Sequence, residues 1–263
     1  MSDSFWSLSS NFSLTHNPSS VWSYGSKPVG YLTGTFNLLT HLVQDSNGTG
    51  IVAWFEEGAS YGNSWLGVYY NPNPTTTTFG SKNIFPAKSV CMHPETDKGF
   101  SVVRFTAPTN GNYSLNVTFA HVDNTATNRH TGVYIVYNNL ETLWETDLVG
   151  IGYSDSFKSI DSGIAVRENE TIDFIVGIGS DSLSFYDMTL ARVDIRLLVA
   201  TSTNENTNST NLMNRNQTLM KVGIIVGSLF ILAIFVILGY SCYGHRKNKQ
   251  TPQKKSGRVR GRS

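Results

Sequence analysis

Residues 222–243, VGIIVGSLFILAIFVILGYSCY, carry no charge, with Lys221 before the run and His245-Arg246-Lys247 after it. As a helix the run would be roughly 33 Å long, enough to cross a bilayer. Lipid admits only a backbone whose polar groups are satisfied internally, and a lone segment achieves that only as a helix. A helix buried in a soluble protein normally keeps a polar stripe, whereas this one is apolar all round. The sequence therefore predicts one transmembrane helix over 221–243. Its Gly223 and Gly227 form a GxxxG pair on one face, a candidate surface for homodimer contact.

Charge gives the topology. The whole chain is nearly balanced, with 20 Lys+Arg against 19 Asp+Glu. Up to Asn214, however, ten basic residues stand against all nineteen acids, while the tail 244–263 holds eight basic residues and no acid. The positive-inside rule then puts the tail in the cytosol and the N-terminal part outside, at the plasma membrane or another membrane of the secretory pathway. The tail can also lie on anionic lipid, at about 1 kcal/mol per basic residue. An acidic N-terminal part without a basic stripe excludes nucleic acid as a partner. Cys91 and Cys242 fall on opposite sides of the membrane helix and its flank, so no disulfide joins them within one chain, and Cys242 is a candidate for palmitoylation. Residues 1–20 show neither a basic n-region nor an apolar core. An exported domain then implies either a signal peptide encoded ahead of Met1, the favoured reading, or insertion directed by 222–243 itself with the N-terminus outside.

Residues 1–200 read as strands throughout, over 31–39, 51–56, 65–70, 100–106, 113–121, 132–137, 171–178 and 190–199. In YSLNVTF the apolar residues fall at 113, 115, 117 and 119, the period of a strand with one face buried. Thr109-Asn110-Gly111-Asn112 and Asn138-Asn139 supply hairpin turns. Many short strands with polar turns and no helical period predict an all-β, jelly-roll-like β-sandwich ectodomain. NPNPTTTTFG at 71–80 reads as an exposed loop, since proline breaks a ladder and threonine brings no apolar partner. Residues 201–220, TSTNENTNSTNLMNRNQTLM, bury too little to offset the entropy of ordering and read as a flexible stalk.

Several segments of the β-domain also match a family pattern: Asn17-Pro18-Ser19-Ser20-Val21-Trp22-Ser23-Tyr24-Gly25, Met92-His93-Pro94, SVVRFTAP at 101–108, Thr131-Gly132-Val133-Tyr134 and ETIDFIVG at 170–177. Over about residues 11–198 the chain resembles the uncharacterised β-sandwich domain of bacterial secreted and surface proteins of PEP-CTERM type. There the pattern runs NPNGVWSYG, LHPG, SVVRWTAP, TDVYV and DTIDFVVG. The chain departs from it at MHPE and TGVYI, and in carrying a stalk, membrane helix and basic tail where the family has a sorting tail. The resemblance implies structural roles for Trp22, Tyr24, His93 and Arg104. It also matches Asp123 and Asp187 to acidic positions of the family, which makes them weak calcium candidates beside the commoner role of aspartate in turns.

Sites remain to be weighed. Trp65, Tyr69 and Tyr70 precede the threonine-rich loop and could stack on sugar rings, although large aromatics more often fill sandwich cores. Seven sequons are N-glycosylation candidates: Asn11, Asn47, Asn112, Asn116, Asn169, Asn208 and Asn216. His121, Asp123 and His130 show no diagnostic metal spacing, so neither a metal nor a cofactor is expected. Glu56 and Glu57 point to opposite faces of a strand, and no nucleophile elbow or P-loop occurs, which argues against an enzyme. The expected function is a single-pass surface glycoprotein whose ectodomain binds a glycan or a surface protein. The alternatives are an enzyme acting on extracellular polysaccharide and a structural coat protein.

Overall fold

Alternation of the kind seen at 113–119 recurs along the chain and builds two stacked antiparallel sheets. The computed structural model describes residues 4–44, 48–79, 82–124 and 129–198. Asn47, Asn208, Asn216, Gly223, Gly227 and Cys242, with the stalk, membrane run and tail, lie outside the described residues. Among those described, no helix is long and apolar enough to cross a membrane. The strands are β1 (Phe5–Ser7), β2 (Trp22–Lys27), β3 (Asn37–Leu38), β4 (His41–Gln44), β5 (Val52–Phe55), β6 (Gly67–Asn71), β7 (Thr77–Phe79), β8 (Asn83–Phe85) and β9 (Ser89–His93). They continue as β10 (Phe100–Thr106), β11 (Gly111–His121), β12 (His130–Tyr137), β13 (Glu141–Val149), β14 (Ser154–Lys158), β15 (Ile164–Val166), β16 (Thr171–Ile178) and β17 (Thr189–Leu198).

One sheet runs β14-β11-β17-β9-β6-β5-β4, with β1 added to β17 and β15 to β11. The other runs β13-β12-β16-β10-β2-β3, and β7 and β8 pair alone. Tyr113, Leu115, Val117 and Phe119 of β11 are fully buried between the sheets, while Asn112 and Asn116 face out. Trp22, Tyr24, Val103, Phe105 and Phe174 meet them from the other sheet. The hairpin between β12 and β13 turns on Asn138 and Asn139, with φ of 47° and 57°. Positive φ at both positions suits the twist of the flanking strands.

Each sheet also buries its outer face in part, which a two-layer reading does not anticipate. On the smaller sheet the segment 28–36, of which 31–36 were read from sequence as the start of a strand, is a strap. Its Val29, Leu32 and Phe36 pack on Phe100, Val102, Val136 and Ile175. A Cβ on Gly25 would meet the Phe36 ring at 2.3 Å, so the strap lies flush against β2. Beneath it Arg104 meets its partner: Asp173 accepts from Arg104 Nε at 2.6 Å and Nη2 at 2.8 Å, and the fully buried Lys27 Nζ sits 2.7 Å from the same carboxylate. Lys27 also donates to the Leu32 carbonyl at 2.6 Å, which ties the strap to the charges it covers.

On the larger sheet the outer face is capped by β7 and β8. Phe79 and Phe85 join Phe55, Tyr69, Cys91 and Leu190 in a second apolar cluster. This corrects the reading of 71–80 as a plain exposed loop. Its three-residue strand is admissible because the prolines precede it, and the Asn71 amide ties the turn to the carbonyls of Thr75, Phe85 and Pro86.

Candidate ligand-binding cleft

The β7–β8 cap leaves a cleft of about 610 Å³ where it meets the ends of β6, β9, β11 and the segment entering β17. Trp65, just before β6, gives one wall, and Phe185 and Tyr186 give another. Lys82 and Asn83 come from the cap, His93 from the end of β9, Glu95 and Asp97 from the turn that follows it, and Asp123 from just beyond β11. Backbone bonds fix the parts: Ile84 N–H donates to the Val122 carbonyl and Asn124 N–H to the Lys82 carbonyl. The Thr96 N–H and hydroxyl both donate to Ser184 Oγ, at 2.9 and 2.6 Å, and Ser184 N–H returns to Thr96 Oγ1 at 3.0 Å. That clamp holds the β9–β10 turn against the segment 183–186.

The cleft has an exposed apolar side. Phe185 is 66 % exposed and Leu183 37 %. Trp65 is half-buried, its ring 5.8 Å from that of His93. Tyr186 has a φ of 73°, and two cations approach its ring, Lys82 at 5.4 Å and Arg129 at 5.7 Å from the centroid. A bulky side chain at positive φ is strained by about 1–3 kcal/mol, and such strain clusters at ligand sites.

Its polar floor is unusual in what it lacks. Asn83 is 6 % exposed, and its Oδ1 has no hydrogen-bond partner. His93 Nδ1 lies 2.5 Å from the Pro94 carbonyl, which only accepts, so the proton is on Nδ1 and Nε2 is the ring's acceptor. Burial pushes the pKa of His93 down to about 4, so the ring is neutral across the physiological range. His121, buried nearby, makes no side-chain hydrogen bond of ordinary geometry, and burial lowers its pKa too. Behind Tyr186, Asp187 accepts from Thr131 Oγ1 at 3.1 Å while Oδ2 has no partner. Burial raises its pKa to about 8.

These shifts predict a stability maximum. Asp187 holds its proton in the folded state between roughly pH 4 and 8 and loses it when unfolded, so its contribution falls as pH rises through that window. His93 acts oppositely: unfolding lets it take up a proton below about pH 6.5, so its contribution falls as pH drops towards 4, and burial of His121 works in the same direction. The histidines and the aspartate therefore oppose each other, and stability should pass through a maximum between an acid limb and an alkaline one. Each uncompensated proton is worth about 1.4 kcal/mol per pH unit. Thermal melts from pH 5 to 8.5 should show both limbs, and Asp187→Asn should flatten the alkaline one. An unchanged alkaline limb in that variant would refute the assignment.

The aromatics expected to share a platform separate. Trp65 lines the cleft, but Tyr69 is fully buried in the second cluster, its hydroxyl donating to the Trp65 carbonyl at 2.8 Å. Tyr70 turns the other way and stacks on Phe12 at 4.8 Å. Neighbours on a strand face opposite sides. Trp22 and Tyr24 are core, Arg104 belongs to the ion pair beneath the strap, and His93 alone of the four motif residues lines the cleft. Asn11, Asn112, Asn116 and Asn169 are all exposed. Asp123 lines the cleft and Asp187 lies behind it, and among the described residues no three His, Cys, Asp or Glu side chains are placed to hold a metal.

Two other arrangements invite chemistry and fail on geometry. Ser180, His130 and Asp147 come together, but Ser180 Oγ and Asp147 Oδ2 both lie on His130 Nδ1, at 2.8 and 2.7 Å. A relay needs one partner on each ring nitrogen, so this is no triad. A second groove of about 520 Å³ at the far end of the sandwich holds Tyr137, Leu140 and Glu170. There the Tyr137 hydroxyl is already committed to Glu170.

No protein-family model matches the chain, and no curated protein does. Among solved structures, the CBM51 module of Clostridium perfringens GH95, in complex with methyl-galactose, matches at 14 % identity and a TM-score of 0.33, covering 51 % of this chain and 90 % of that one. The CBM51-2 and INT domains of Clostridium perfringens ZmpB, in complex with GlcNAc, match at 14 % and 0.36, covering 68 % and 41 %. The N-terminal cellulose-binding domain of Cellulomonas fimi beta-1,4-glucanase C matches at 12 % and 0.20, covering 59 % and 92 %. Carbohydrate-binding modules are thus among the solved structures similar to this all-β sandwich, at a looseness that carries over no residue.

Proposed function

We propose that residues 1–200 form a glycan-binding ectodomain, of jelly-roll type, whose ligand sits between Trp65 and Phe185. The observation that supports this reading is an exposed aromatic side set over a floor of spare acceptors, Asn83 Oδ1 and His93 Nε2. Sugar rings offer apolar C–H faces to the first and hydroxyl donors to the second. The domain binds without turning its ligand over and stands outside the cell on a single C-terminal membrane helix, as a glycoprotein. Protease added to intact cells should then remove the domain and spare a C-terminal tag, and full protection would refute that topology.

Phe185→Ala and Trp65→Ala should each weaken binding to the best ligand on a glycan array by tenfold or more, which is at least about 1.4 kcal/mol. Phe185→Ala should leave the melting temperature unchanged, because that side chain is mostly in solvent. Glycan binding that survives both changes would move the site elsewhere. Release of shortened products in the same assay would favour the enzymatic alternative.

A further inference from the structure

We infer that the cleft selects its ligand by charge, taking sugar residues rich in hydroxyls and free of acidic groups and turning away carboxylated ones such as uronic and sialic acids. The inference rests on the glycan-binding reading of the same cleft and adds the class of sugar.

The argument is a count of donors and acceptors. Asn83 is more than nine-tenths buried and keeps a carbonyl oxygen without a donor. His93 spends its one N–H on the Pro94 carbonyl and offers only a lone pair. Glu95 already accepts from Ser64 Oγ at 2.8 Å and pairs with Lys98 at 3.2 Å, so Lys98 is not free to greet an anion. Asp97 is exposed at the rim. Beside the acidic side chains of Glu95, Asp97 and Asp123 the cleft wall sets, among the described residues, one cation, Lys82, whose ammonium lies over the Tyr186 ring. Arg129, 5.7 Å from the centre of the same ring, is paired with Asp181 at 3.6 Å. A polyol brings hydroxyl donors to the two spare acceptors, Asn83 Oδ1 and His93 Nε2. A carboxylate has no donor for Asn83 Oδ1 or His93 Nε2, adds a negative charge beside acidic side chains, and meets Lys82 as its cation only where that ammonium already lies over the Tyr186 ring. Sites built to bond one polar group discriminate strongly against a ligand lacking it.

The test uses the purified full-length protein and matched oligosaccharides ending in glucose or glucuronic acid, and in galactose or galacturonic acid. For at least one pair the neutral member should bind tenfold or more tightly. Asp97→Lys should narrow that ratio several-fold without moving the melting temperature, since Asp97 is at the rim. Raising ionic strength should narrow the ratio as well, because exposed charges are screened over about 8–10 Å. Equal or tighter binding of the acidic members would overturn the charge selection while leaving the glycan reading in place. Binding to no sugar on the array would overturn both.

Discussion

Replacing Asp173 by alanine is expected to destabilise the domain by about 3–5 kcal/mol, the range for breaking a buried ion pair by removal of one partner. Asp173 is fully buried and is the shared counter-ion of Lys27, also fully buried, and of Arg104. Its loss strands two cations beneath the strap. Lys27 has an escape, because burial already pulls its pKa down and it can shed its proton. Arg104 has no such escape, as guanidinium does not deprotonate in proteins. The cost is a large fraction of a typical domain stability of roughly 5–15 kcal/mol. Chemical denaturation should therefore show a much lowered midpoint for Asp173→Ala. Replacing all three residues by apolar ones of similar volume should recover most of the loss. A single variant within 1 kcal/mol of the parent, on the order of a surface substitution, would mean that the triad is solvated and the strap open.

Trp22→Ala is expected to cost a similar amount, about 3–5 kcal/mol. Its ring is fully buried between Phe105, edge-on at 5.4 Å, and Phe174 at 6.4 Å. The cavity would lie at the meeting of both sheets, where neither strand layer can relax without shifting its ladder. Its indole Nε1 has no hydrogen-bond partner, unlike that of Trp54, which donates to the Ser13 carbonyl at 2.9 Å. An orphaned buried donor costs about 1–3 kcal/mol, so Trp22→Phe removes a penalty along with the packing. Phenylalanine should therefore fall well short of alanine in its effect, as read from denaturation midpoints. Equal losses for the two would show that Nε1 is paired in solution.

How far these features can be read from the sequence depends on how local their causes are. The alternation of β11 is written in consecutive residues and foretells both its buried and its exposed face. Arg104 in an apolar strand demands a counter-charge, yet nothing local says that Asp173 or Lys27 supplies it, because their register comes from β10 sitting between β2 and β16. The outer-face cap is harder still. Threonines at 77 and 78 carry no apolar signal, and only Phe79 and Phe85 betray that the hairpin covers something. With the cap misread, Tyr69 passes for an exposed ring. Asn83, His93 and Phe185 converge from separate segments, which no spacing rule can reveal. One signal was available: Leu183, Phe185 and Tyr186 crowd large apolar groups into a turn where polar ones are usual.

β17 has a mechanical meaning beyond its place in the core. The segment 183–186 leads into it at Thr189, and roughly 30 Å further on it ends at Leu198. Along that length β11 pairs with residues 189–198, β9 with 189–191 and β1 with 194–196. A force applied between the segment 183–186 and Leu198 along β17 would run along the strand axis. Hydrogen bonds perpendicular to such a pull bear it together, in shear, whereas a pull across the strand would open them one by one. A pull along β17 would then meet the resistance of the whole ladder at once.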